Sequence, residues 1–109
     1  MARKVEWTEI AWSDLEEVAD YIAKDSHYYA AAFVREVRDA GRSLAYMAER
    51  GRVVPEFGDP NIRELFVRKY RLIYQMTENT IYIIGFIHGA RDLLAIWERE
   101  EHPNPGDIS

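Results

Sequence analysis

From Ile62 to His88 the chain reads IRELFVRKYRLIYQMTENTIYIIGFIH, and this stretch decides the fold. β-branched and aromatic residues crowd three runs, Ile62 to Arg68, Tyr70 to Met76 and Thr80 to His88. Side chains of this kind suit a pleated, half-buried surface. The breaks between the runs, Arg68-Lys69 and Glu78-Asn79, are short enough for hairpin loops. The expected result is a three-stranded antiparallel meander. With two-residue loops, the alternation of side chains puts Phe66 opposite Arg71 and Arg71 opposite Phe86. One face then holds Leu65, Val67, Tyr70, Leu72, Tyr74, Met76, Ile81, Ile83 and Ile87. The other holds Glu64, Phe66, Arg68, Arg71, Ile73, Gln75, Tyr82, Ile84, Phe86 and His88, a mixture unlike an ordinary core, and functional residues are sought there.

Upstream the period changes from two to that of a helix. Thr8 is placed to cap a helix, with Glu9 near its positive end, and apolar residues recur at Ala11, Leu15, Val18 and Ile22. After Asp25-Ser26-His27 a second stripe runs through Phe33, Val37, Ala40, Leu44 and Met47. Two stripes joined by so short a break predict an antiparallel helical hairpin, which covers the first sheet face. Gly41 weakens the second helix by about 1 kcal/mol relative to alanine while permitting close packing. Before the hairpin, Arg3 to Trp7 alternates polar with apolar as a short first strand. Behind it, Gly51, Pro55, Gly58, Asp59 and Pro60 mark an irregular connection. Leu93, Leu94, Ile96 and Trp97 suggest a last short helix, and His102-Pro103-Asn104-Pro105-Gly106 cannot extend it. The fold class is therefore α+β, in the order β-α-α-β-β-β with a helical hairpin on one face of an antiparallel sheet and a short C-terminal helix. Residues 1–101 form one domain, and residues 102–109 are expected to be a mobile tail.

Composition narrows the function. The chain of 109 residues is 48% hydrophobic and 30% charged, which suits a single globular domain rather than a disordered chain. It has no cysteine, which removes disulfides, thiolate metal sites and cysteine nucleophiles. No secretory signal or membrane-length apolar run is present, so a cytoplasmic location and no membrane partner are expected. The net charge is −5. It is unevenly spread: residues 1–49 hold ten carboxylates against six basic groups, whereas residues 50–92 hold seven basic groups against five carboxylates. Affinity for polyanions comes chiefly from phosphate neutralisation, so the overall acidity argues against tight nonspecific binding to nucleic acid.

Five segments in this order resemble the RelE/ParE superfamily: Ala11-Trp12-Ser13-Asp14-Leu15 through Tyr21-Ile22; Gly51 to Glu56; Ile62 to Leu65; Tyr70 to Tyr74; and Ile87 to Leu93. The resemblance covers nearly the whole chain, from about residue 5 to residue 94. The resemblance implies the toxin of a type II toxin–antitoxin system, associated with plasmid stabilisation and growth inhibition. It further implies a cognate antitoxin partner in a hetero-oligomer, and no cofactor or metal. The superfamily divides into ParE-like inhibitors of DNA gyrase and RelE-like endoribonucleases that cut mRNA in the ribosomal A site. An inactive module that only binds antitoxin would share the same pattern.

The resemblance also assigns candidate residues. Arg71 matches the arginine that RelE-like nucleases set against the scissile phosphate, and Arg91 matches a second arginine near the C-terminus. A guanidinium presents a rigid fork of donors to phosphate oxygens. His88 at a strand end could act as general acid or base. Trp97 lies where such nucleases tend to have a tyrosine; an indole stacks on a base but lacks an ionisable hydroxyl. These residues also have structural readings: Arg71 paired with Glu64, Arg91 with Asp92, His88 as a structural ring and Trp97 as a helix anchor. RelE-like nucleases typically place lysines where this chain has Ile62, Arg63 and Glu64, and they are usually strongly basic. The balance favours a ParE-like effector, with any nuclease activity metal-independent. Phe66, Arg68, Arg71, Phe86 and Trp97 are the candidate partner-binding residues.

Overall fold

In the computed structural model, which describes residues 2–99 and 102, the elements run β1 (Lys4–Trp7), α1 (Glu9–Ala23), α2 (His27–Ser43), β2 (Arg52–Val53), β3 (Ile62–Val67), β4 (Tyr70–Met76), β5 (Thr80–His88) and α3 (Leu93–Arg99). The α+β order is as expected, with two additions to the sheet. It has five strands in the order β1-β5-β4-β3-β2, and β1 lies parallel to β5, so the sheet is mixed. The two-residue β2 forms in the irregular connection, pairing Arg52 with Glu64 and Val53 with Arg63.

Local chemistry sets the helix ends. The Ala11 N–H donates to Thr8 Oγ1 at 3.2 Å, and the Tyr29 N–H donates to Ser26 Oγ at 3.1 Å. Each hydroxyl thereby satisfies one donor that a helix start leaves without an internal partner. The apolar stripes then bury Leu15, Phe33, Val37 and Leu44 against Val67, Leu72, Tyr74, Ile81, Ile83 and Phe86 of the sheet. Gly41 permits this approach, since a Cβ there would sit 3.0 Å from Ile83 Cδ1. The Tyr74 hydroxyl ties the connection after α2 to the sheet, donating to Ala48 O at 2.7 Å and accepting from Gly51 N at 3.0 Å.

The opposite face, expected to be open, carries a second core. Ile73, Ile84 and Ile87 pack there with Val54, Ile62, Leu93, Ile96 and Trp97. The irregular connection and α3 together cover it.

The expected register holds across β3 and β4, where Phe66 faces Arg71, and fails in β5. A bulge lies where Ile73 pairs with Gly85 and Tyr74 with Ile83, leaving Ile84 without an opposite residue. One extra residue reverses every side chain beyond it. Arg71 therefore faces Ile87, not Phe86, and Leu72 faces Phe86. Phe86 and His88 turn to the helical hairpin, and Ile87 turns to the second core. Glycine at position 85 fits the reversal, because a Cβ there would lie 2.6 Å from the Trp97 ring.

Candidate functional site

The bulge separates the residues that were expected to form one site. Arg71 lies on the α3 side of the sheet, and His88, paired with Tyr70 on β4, lies on the hairpin side. No shared constellation of the two exists.

Arg71 is 5% exposed and its guanidinium is engaged by carboxylates. Nη1 and Nη2 donate to the two oxygens of Glu56 at 2.8 and 2.7 Å, and Nε donates to Glu64 Oε1. Glu64, itself fully buried in its side chain, accepts from Arg52 Nε at 2.6 Å through its other oxygen. The paired arginine holds the Glu56 carboxyl below its ordinary value, chiefly through that hydrogen bond. The same bond, with the contribution of Glu64, raises Arg71 further above the ordinary arginine value against the opposing effect of burial. The expected partnership with Glu64 is present, and Glu56 completes it. Chemically, this is a chain of alternating charge in which carboxylates take three of the five N–H donors of the Arg71 guanidinium, and the side chain, 6% exposed, is turned away from solvent.

His88 and Arg91 do meet, in a groove of about 230 Å³ lined by Asp14, Glu17, Val18 and Tyr21 of α1 together with Tyr70, Phe86, Ile87, His88 and Arg91. His88 Nδ1 accepts from the Ala90 N–H at 3.1 Å, so in the neutral ring Nε2 carries the proton. Its ring lies edge-on to Tyr70, with centroids 5.3 Å apart. Arg91 is exposed and forms no ion pair among the described residues. Asp92 instead accepts from Ala95 N at 3.3 Å and starts α3. The groove thus brings an imidazole, a guanidinium, two carboxylates and aromatic walls to one place. Sequence reading missed its α1 side, although Asp14, Glu17, Val18 and Tyr21 are spaced by three, four and seven residues and so share a helix face.

The other partner-binding candidates divide by burial. Phe66 is 54% exposed beside the Arg52 guanidinium, which sits 5.4 Å from its ring centroid. Arg68 is exposed at the hairpin turn, in a left-handed backbone conformation (φ 55°), with Nε donating to Glu36 Oε2 at 2.8 Å. Phe86 is buried and forms part of the groove wall. Trp97 is 3% exposed and packs on Phe57 and on His102, which makes it the helix anchor and leaves no face for a base. His102, expected at the start of a mobile tail, is buried; residues 103–109 of that tail lie outside the described residues.

The helical hairpin on a mixed sheet, closed by a short terminal helix, is the arrangement of a class, the small toxins of type II toxin–antitoxin systems. The family model for the ParE toxin of the type II toxin–antitoxin system parDE matches residues 5–93, and the chain belongs to that family. It is 33% identical over 89 residues to the toxin RelE2 of Caulobacter vibrioides, covering 81% of this chain and 97% of that protein. Among solved structures it resembles a chromosomal ParDE toxin–antitoxin system from P. aeruginosa, with a TM-score of 0.66 and 20% identity over 80% of this chain and 96% of the other. The RelBE2 toxin–antitoxin complex of Mycobacterium tuberculosis gives a TM-score of 0.56, again at 20% identity, over 84% and 95% of the two chains. These two structures carry the fold alone. No helix among the described residues is long and apolar enough to cross a membrane.

Proposed function

We propose that this toxin arrests growth by a ParE-like route, inhibition of DNA gyrase, and is neutralised in a hetero-oligomer with a cognate antitoxin. The observation that carries this reading is the burial of Arg71 and its engagement by two carboxylates. A metal-independent ribonuclease of the RelE type needs a guanidinium that meets the scissile phosphate, and here Glu56 and Glu64 fill that fork. The burial of Trp97 and a net charge of −5 weigh the same way, since an A site is walled by RNA phosphates. For the antitoxin, the groove between α1 and the β5 end is the favoured seat, with Phe66 and Arg68 flanking the hairpin turn. It combines apolar walls with both signs of charge, which suits an amphipathic segment.

Purified toxin should abolish gyrase-dependent supercoiling and leave mRNA intact on programmed ribosomes. A-site cleavage lost in Arg71→Ala would reverse the assignment. Failure of the neighbouring gene product to copurify would remove the antitoxin half of the proposal.

A further inference from the structure

β1 ends at Trp7 opposite Ile83, so among the described residues β5 beyond that point has no strand on its outer side. An open edge of this kind needs side-chain cover. Asp14 of α1 supplies it: its Oδ2 accepts from the Phe86 N–H at 3.2 Å. The same oxygen lies 2.8 Å from Nε2 of His102, which arrives from the other face of the sheet. The His102 side chain is fully buried and its ring stacks on Trp97 with centroids 4.4 Å apart. Its backbone N–H donates to Trp97 O at 3.1 Å. Asp14 and His102 thus join the hairpin layer to the α3 layer around the sheet edge.

We infer that Asp14 and His102 form a latch, and that α3 with His102 opens from the sheet as a unit while the helical hairpin stays folded. α3 has seven residues, too few for a helix to persist without tertiary support. That support comes from a core separate from the one beneath the hairpin, so its loss leaves Leu15, Phe33 and Val37 covered. His102 Nδ1 is buried with no hydrogen-bond partner among the described residues, a cost that weakens the closed state. Opening also reaches the groove. Asp14 lines it, and Arg91 stands on the short link between β5 and α3, so the latch governs both the carboxylate and the guanidinium offered there.

Native-state hydrogen exchange on the whole chain tests this. In the wild type the Ile96 and His102 amides should exchange through an opening smaller than global unfolding, with the Leu15 and Val37 amides exchanging only globally. His102→Ala should quicken exchange at Ile96 and Phe86 by about tenfold, the scale of one lost hydrogen bond, without moving Leu15 or Val37. His102→Phe keeps a ring on Trp97 but loses the bond to Asp14; it should quicken Phe86 more than Ile96, and it decides the matter if the alanine variant does not fold. Ile96 exchanging only with Leu15 in the wild type would overturn the inference. So would variants that quicken all amides equally or none.

Discussion

Two clusters of charge lie on opposite faces of one sheet and behave as opposites. Around Arg71 every charge is answered: Arg52, Glu64, Arg71 and Glu56 form a continuous chain, half of it buried. Around His88 and Arg91 the charges of α1 and the β5 end face one another across an open groove without an ion pair to Arg91 among the described residues. On the function proposed above, the contrast gives stability to the first region and antitoxin recognition to the second. Charges removed from water must be paired where they lie, whereas the exposed Arg91 guanidinium keeps its hydration and can be paired by a ligand.

The largest effect that could break this contrast is Arg71→Ala. It strips Glu56 of its fork and leaves buried Glu64 with Arg52 alone, and should cost about 3 kcal/mol or more in urea denaturation. Arg91→Ala should change stability by no more than about 0.5 kcal/mol, as at other exposed positions. Antitoxin capture by surface-immobilised toxin should reverse the order, weakening for Arg91→Ala and for Arg71→Ala only in proportion to its unfolded fraction. Equal losses of stability for the two variants would dissolve the distinction.

Gly85→Ala sharpens the contrast at intermediate magnitude. The added Cβ would meet the Trp97 ring at 2.6 Å, so α3 must shift, at a cost of about 1–3 kcal/mol. Fluorescence of Trp97, with Trp7 and Trp12 replaced by phenylalanine, should report a loosened ring. An unchanged signal and midpoint would mean that the second core tolerates the shift.

Gly85 is also where the sequence was readable and was not read. A lone glycine inside a strand signals a bulge or a close backbone approach, and here it marks both. Overlooking it kept β5 in ideal alternation and placed Phe86 and His88 on the wrong face. The helices were legible because their stripes, and the Thr8 cap, are local, although the second stripe was carried to Met47, which lies beyond the end of α2 at Ser43 and is 55% exposed. The Arg71–Glu56 pair was not, since 15 residues and an irregular connection separate the partners and no periodicity spans them. His102 misled for a related reason. The prolines after it forbid a helix, which was read as absence of order, but a buried ring needs only a partner such as Asp14 and a surface such as Trp97.

The smallest effect is a pH dependence that arises in the closed cluster. The Arg71 hydrogen bond holds the Glu56 carboxyl below its ordinary value of 4.5, outweighing the upward push of partial burial. A carboxyl lowered on folding stabilises the native state fully above its unfolded value. That contribution is lost as the pH falls through the folded value, because the unfolded chain takes up the proton first. The urea midpoint of the wild type should therefore drop with acidification below pH about 4.5 more steeply than that of Glu56→Gln, which cannot titrate there. Arg91→Ala, which leaves the Arg71–Glu56 fork intact, should keep the wild-type slope. If Glu56→Gln kept that slope as well, the Arg71 cluster would not be the tightly paired structure that its geometry describes, and its fork would again be a candidate seat for a phosphate.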